Sequence, residues 1–381
     1  MKMETLLIHG GIDGDENTGA VSVPIYQTST YKQATIGENR GYEYSRTGNP
    51  TRHALEKLIT EMEGGYSGYA FSSGMAAITA VMMLFKSGDK ILISNNMYGG
   101  TFRVLDKVFN NFKLEYEIVD TSIEIEVTKS ISENVRAIII ETPTNPLMGI
   151  TDISKVADIA KRHNLLTIVD NTFMTPYLQR PIELGADIVI HSATKYLGGH
   201  SDLLAGLVVV NSEELSKRMH FLQNATGGVL GPFDSWLLIR GIKTLSVRLD
   251  RHIENAEYLA DYLTNNEAAA KIYYPGLKEH PGYELQKRQA KGPGAMISFI
   301  LKESYDIHIF LRELKYITVG ESLGGVESLL THPATMTHGA IPYELRQKMG
   351  IVDRLIRLSV GIENKEDLVA DIENAIAKSK L

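Results

Sequence analysis

Short apolar runs, separated by stretches of helical period, recur through the middle of the chain. They fall at 90–93 (KILI), 137–141 (AIIIE), 165–170 (LLTIVD), 186–191 (ADIVIH) and 204–210 (LAGLVVV). Because they are near-continuous rather than alternating, they predict strands buried on both faces of a mostly parallel sheet. A helix is predicted from Asn49-Pro50, where Asn suits the N-cap and Pro the first helical position. Leu55, Leu58, Ile59 and Met62 follow at helical spacing, and Gly64-Gly65 stops the run. The alternation of strand and helix predicts a doubly wound α/β core from about 50 to 230.

The flanks read differently. Residues 1–48 have little helical period and many Gly, Thr, Ser and Tyr residues, which predicts an extended arm that packs on other surfaces. Gly231-Pro232 precedes a long helical pattern from near Asp234, read as a connector. Beyond about 250, helices mix with a few strands such as 296–301 (MISFIL), and the chain ends in an amphipathic helix. The expected division is an arm (1–48), an α/β domain (49–232), and a connector helix with a smaller C-terminal α+β domain (233–381). Segments 275–294 and 331–345, rich in Pro, Gly and His, are expected to be surface or active-site loops.

Composition removes several functions. The net charge is −7 with no Lys/Arg run, which argues against nucleic acid as the main partner. There are no cysteines, so disulfides, thiolate metal sites and cysteine nucleophiles are excluded. No run approaches the ~18 apolar residues of a membrane helix, and the apolar stretch near Met1 is too short for a signal peptide. A soluble, cytoplasmic protein with no membrane partner is expected.

Three segments suggest chemistry. Ser72-Ser73-Gly74-Met75-Ala76 places small residues at a helix start, whose unpaired N–H groups and partial positive charge can cradle a phosphate. An N-cap with small residues for close packing would look the same. Asp170 follows a strand, and ligands of open α/β sheets gather at the carboxyl ends of strands. A carboxylate there can keep a pyridine nitrogen protonated, although an acid after a strand also serves as a turn or cap. Lys195, in Ser192-Ala193-Thr194-Lys195, also lies just past a strand; burial or nearby cations would make its amine reactive toward carbonyls. A lone lysine in a glycine-rich loop is more often merely exposed. Together, in this chain order, the three meet the needs of a pyridoxal-phosphate site.

The chain resembles the Cys/Met metabolism group, the γ-subfamily of fold-type I pyridoxal-phosphate enzymes. The resemblance runs from His9-Gly10-Gly11 to Ser359-Val360-Gly361-Ile362-Glu363. It is carried by 44–52 (YSRTGNPTR), 141–146 (ETPTNP), the region from Asp187 to Gly199, and 321–329 (ESLGGVESL). It implies a fold type I architecture: a mostly parallel central sheet flanked by helices, an N-terminal arm and a smaller C-terminal α+β domain. It also implies pyridoxal 5′-phosphate as cofactor, carried by Lys195, with Asp170 at the pyridine nitrogen and Asn145 at the phenolic oxygen. Gly74, Met75, Ser192 and Thr194 would hold the phosphate, joined by Tyr44 and Arg46 from a neighbouring subunit. Tyr98 would stack on the ring and move protons; unaided, a tyrosine before two glycines reads as a turn. The substrate would meet Arg46, Tyr98, Arg103, Asn145, Glu321, Ser322 and Arg357. Arg357, set among Leu355, Ile356 and Leu358, would clamp the α-carboxylate; an arginine in apolar company calls for an anion on its own account.

Within the group, the resemblance is greatest to bacterial cystathionine γ-lyases, some of which also act on homocysteine. The implied reaction is α,γ-elimination of L-cystathionine to L-cysteine, 2-oxobutanoate and ammonia. Cystathionine γ-synthase, which joins an O-acylhomoserine to cysteine, is the alternative; cystathionine β-lyase and a non-catalytic pyridoxal-phosphate-binding protein rank below it. Methionine γ-lyase ranks lower too, since its members usually carry a cysteine where this chain has Gly100 and lack the acid at Glu321. The group is usually a tetramer of active-site-sharing dimers, and a homotetramer is expected. No metal is expected: His191, His200 and Asp202 lack zinc-ligand spacing on one helix face and read as hydrogen-bonded core or loop residues. His332 and His338 are expected to shape the entrance.

Overall fold

The computed structural model describes every residue except 13, 16 and 340–342. The larger sheet has seven strands: β1 (Ser67–Phe71), β2 (Lys90–Ser94), β3 (Glu115–Val119), β4 (Val135–Glu141), β5 (Leu166–Asp170), β6 (Ile188–Ser192) and β7 (Gly206–Val210). Their order is β1-β7-β6-β5-β4-β2-β3. The pairs among β2 to β6 are parallel, and β7 runs antiparallel to both of its neighbours. The apolar runs are continuous because successive residues feed two cores. Ile138, Ile140, Val169 and Val189 face one cluster; Ala137, Ile139, Ile168 and Ile188 face the other. Helices cover both faces.

Two of the strands lie outside the runs seen in the sequence. β3 is an edge strand whose Glu115 and Ile118 are exposed, so its EYEIV run lacks the signature of a doubly buried strand. β1 (SGYAF) is five residues long and wedged between two helices.

Helix α1 (Met3–His9) is a departure from the extended arm: Met3 and Leu7 are buried in the main core. Helix α2 (Pro50–Glu63) forms as its sequence predicts. The Asn49 side chain accepts from the Thr51 and Arg52 amides, a cap whose loss costs about 1 kcal/mol. Leu55, Leu58, Ile59 and Met62 are fully buried, each stabilising by roughly 2 kcal/mol. Helices α3 (Gly74–Met82) and α4 (Gly99–Lys107) follow β1 and β2.

The connector is two helices, Pro232–Ile242 and Leu245–Thr264, rather than one. Five further strands make a smaller sheet: β8 (Ala269–Tyr273), β9 (Met296–Leu301), β10 (Thr318–Val319), β11 (Leu329–Thr331) and β12 (Leu355–Ser359). Their order is β10-β11-β12-β9-β8, antiparallel apart from β10 with β11. The terminal helix is Lys365–Ser379. A helix, Tyr283–Gln289, interrupts the segment read as a loop over 275–294. The loop reading over 331–345 covers 340–342, which lie outside the described residues. Among the described residues no helix is long and apolar enough to cross a membrane.

Candidate active site

Three parallel strands end on polar residues at one edge of the large sheet: Glu141 on β4, Asp170 on β5 and Ser192 on β6. With the start of α3, the Tyr98 turn and β12, these ends enclose a cavity of 350 Å³. Its walls include Gly74, Met75, Tyr98, Asn145, Asp170 and Ser192. Thr194, Lys195, Glu321, Ser322 and Arg357 complete the set of expected residues that line it. Tyr44, Arg46 and Arg103 do not. Tyr44 and Arg46 are exposed at a separate groove near Val229–Pro232. There the Arg46 guanidinium donates to the Asn224 carbonyl (2.7 Å) and side-chain oxygen (2.9 Å) and lies over the Tyr44 ring. Arg103 is exposed on α4.

The phosphate-sized end is built by α3. Ser73 caps the helix by accepting from the Ala76 amide (3.1 Å). The first amides of a helix, here those of Gly74 and Met75, have no partner within it, and both residues line the cavity. Gly74 allows this approach: a Cβ there would sit 2.9 Å from both Cβ and Oγ of Ser192. The Thr194 hydroxyl is held by the Ala205 amide (3.0 Å).

The carboxylates meet at the strand ends. Glu141 and Asp170 are register partners across β4 and β5. Asp170 accepts from the Thr172 amide (3.0 Å) and hydroxyl (2.5 Å), and Thr172 Oγ1 in turn accepts from the Ser192 amide (2.8 Å). Burial pushes the Asp170 carboxyl up, against the pull of these bonds and of His191. Burial, and then the neighbouring Asp170 charge, push Glu141 well above the ordinary carboxylate range; the Tyr98 amide and Arg357 oppose this.

The cations face them. Lys195 Nζ donates to Ser322 Oγ (2.8 Å). Burial, and after it the Arg357 charge, bring the amine down to about 8, with Glu321 pulling the other way. Ser322 holds its position at φ 100°, in the left-handed region. Arg357, 2% exposed, comes from the middle of β12. It donates to Asn145 Oδ1 (2.9 Å), the Ser322 carbonyl (3.0 Å) and Thr331 Oγ1 (3.1 Å). Among the described residues its Nε has no partner, and burial brings the guanidinium down to about 10.

Tyr98 precedes α4, and its amide donates to Glu141 Oε2 (2.7 Å). Gly100 lies under its ring: a Cβ there would overlap the ring edge and sit 2.8 Å from Met75 Sδ. His338 is fully buried and bonded to Thr337 Oγ1 (2.8 Å), with Thr337 lining the cavity. Burial, and then Arg357, bring His338 down to about 4. His332 bonds Thr335 and the Asp353 carbonyl outside the cavity. His191 lies behind it, against Glu63 (2.7 Å). Sequence reasoning missed Glu141 and Thr172. Glu141 closes the 137–141 run, so the signal that flagged Asp170, a polar residue ending an apolar run, was available for it too; Thr172 lies just beyond the 165–170 run and carried no such signal.

These donors suit pyridoxal phosphate. A glycine-opened helix start with flanking hydroxyls suits a phosphate, a buried carboxylate suits a protonated ring nitrogen, and a partly neutral lysine suits an aldehyde.

The chain matches the Cys/Met metabolism PLP-dependent enzyme family over residues 4–377. It is 60% identical over 376 residues to a cystathionine gamma-lyase of Bacillus subtilis (strain 168), covering 99% of each chain. It is 56% identical over 376 residues to a cystathionine beta-lyase of Lactococcus lactis subsp. cremoris (strain MG1363), again covering 99% of each. Further relatives carry cystathionine gamma-synthase names. Among solved structures, a cystathionine gamma-lyase from Lactobacillus plantarum complexed with L-serine superposes with a TM-score of 0.98 at 52% identity, over 100% of this chain and 99% of that one.

Proposed function

We propose, from the premise that this chain belongs to the Cys/Met metabolism family of pyridoxal-phosphate-dependent enzymes with fold type I, that it is a carbon–sulfur lyase releasing L-cysteine, 2-oxobutanoate and ammonia from L-cystathionine. One observation carries the reading. A lysine amine brought down to about 8 shares a cavity with a guanidinium whose Nε has no partner among the described residues.

When bound, pyridoxal phosphate supplies an electron-withdrawing ring that stabilises negative charge developing next to the substrate amine. Lys195 would carry it, the Gly74 and Met75 amides with Ser192 and Thr194 would hold its phosphate, and Asp170 would keep its ring nitrogen protonated. Asn145, bonded to Arg357, would serve its phenolic oxygen. Arg357 offers the substrate α-carboxylate a charge already desolvated, so the pairing is strong. Lys195 Nζ takes first the Cα proton and then a Cβ proton, the second loss expelling the γ-sulfur, and water completes the release of 2-oxobutanoate and ammonia. The role needs an amine neutral in part near neutral pH. The Tyr98 hydroxyl, at the mouth, protonates the departing sulfur. Glu321 and Arg103 serve the charged distal end of the substrate. Tyr44 and Arg46 complete the phosphate grip of a neighbouring subunit, in a tetramer built from dimers that share their active sites.

The experiment is product identification on cystathionine alone. Cysteine with 2-oxobutanoate supports the proposal. Homocysteine with pyruvate would mean β-elimination, which the 56% identical relative's name keeps in view. Turnover only with an O-acylhomoserine plus cysteine would mean the synthase.

A further inference from the structure

Helix α4 starts without a cap of its own: Tyr98, at the N-cap position, makes no side-chain capping bond. A helix start without a cap normally frays, because its first amides have no partner. Here an acceptor arrives from elsewhere in the chain. Glu141 Oε2 takes the Tyr98 amide at 2.7 Å, across 43 residues of sequence. The Asn145 amide faces the same carboxyl, and Asn145 Oδ1 in turn accepts from Arg357 at 2.9 Å. Glu141 is 6% exposed, and its own amide is tied to Ser94 Oγ (3.2 Å), the last residue of β2. One buried residue thus joins the Tyr98 turn and the Asn145 turn through its side chain and the ends of two strands through its backbone.

We propose that Glu141 is a positioning residue: its carboxyl anchors the N-cap amide of α4 and so fixes the Tyr98 ring over the cavity in register with Asn145 and Arg357. It acts through its neighbours' backbone amides. A carboxylate at this strand end therefore does a different job from Asp170, its partner across the register. The inference rests on the reading of Tyr98 as a working residue of the site.

Hydrogen exchange of the holoenzyme over segment 98–102 tests Glu141 separately from that reading. E141A removes the acceptor, and E141Q keeps one oxygen for the Tyr98 amide. Losing a buried bond should speed exchange in that segment about tenfold or more in E141A. E141Q should stay near the parent rate. On cystathionine, kcat of E141A should fall more than its KM rises, with E141Q restoring most of it. If E141A does not fold, E141L replaces it in the comparison. Unchanged exchange without the acceptor, or equal loss of protection in both variants, would overturn the proposal. A wrong lyase reading would show instead in the products of the unaltered enzyme.

Discussion

The lowered value of Lys195 makes a quantitative prediction about its reactivity. With the amine at about 8 rather than the ordinary 10.5, about a tenth of it is neutral at pH 7, some 300-fold more than for a solvated lysine. Covalent capture of pyridoxal phosphate by cofactor-stripped protein, quenched with borohydride and mapped to peptides, reads that neutral fraction. The rate of labelling at Lys195 should rise with pH and level off with a midpoint near 8. Two substitutions should move the midpoint in opposite directions. R357Q removes a cation that lowers the amine, so the midpoint rises; E321Q removes an anion that raises it, so the midpoint falls. A label on another residue, a midpoint near 10, or shifts of the reverse sign would refute the assignment.

The same shift has a sign in stability. A lysine whose folded value lies below its unfolded one destabilises the fold while it must be protonated. The cost is fully present below about 8 and gone above about 10.5. It amounts to about 3 kcal/mol, against about 1 kcal/mol for the bond to Ser322. K195M should therefore stabilise the cofactor-free protein by about 2 kcal/mol at pH 7. Urea unfolding should show the gain shrinking as the pH approaches 10.5.

Gly100→Cys places a Cβ against the Tyr98 ring and Met75 Sδ. The overpacking, about 1–3 kcal/mol, should displace the ring and lower kcat/KM on cystathionine roughly tenfold or more while leaving the fold intact by circular dichroism; unchanged kinetics would show that the ring position is immaterial. R46A and K195A should each be nearly inactive, yet coexpression should restore about a quarter of parent activity if Arg46 serves a neighbouring subunit, because one site of each mixed dimer is intact. No recovery in mixed oligomers would place Arg46 in its own chain's site or outside any.

Much of the architecture is legible because doubly buried strands write themselves as continuous apolar runs. KILI became β2, MISFIL became β9, and α2 begins at Pro50 behind its Asn49 cap. The elements that escaped lack that imprint. β3 exposes Glu115 and Ile118 at the sheet edge, and α1 buries only Met3 and Leu7, a stripe too short for a period to show. Such a helix is held by packing rather than by propensity. The chemistry-bearing residues were legible where they close an apolar run, as Asp170 does. Tyr44 and Arg46 were not placeable from spacing, since the groove they occupy lies apart from the cavity. Arg103 lies exposed on α4, outside the cavity walls, a placement that its sequence context does not give.

The strand ends also explain why polar residues come there in adjacent pairs. Side chains alternate along a strand, so Glu141, Asp170 and Ser192 reach the cavity while their neighbours Asn171 and His191 turn behind it. Those neighbours form a buried network with the end of α2. His191 Nε2 lies 2.7 Å from Glu63 Oε1, which also accepts from Asn171 Nδ2 (3.1 Å). Gln179 Nε2 bridges Asn171 Oδ1 (3.1 Å) and the Thr142 carbonyl (3.2 Å). Glu63, His191, Asn171 and Gln179 are all at most 1% exposed. Breaking such a network leaves buried polar groups without partners, at about 1–3 kcal/mol each, so the ends of β4, β5 and β6 cannot drift independently. The front residues can then be desolvated, as Lys195 and Glu141 are, because the rear layer holds the strands that carry them.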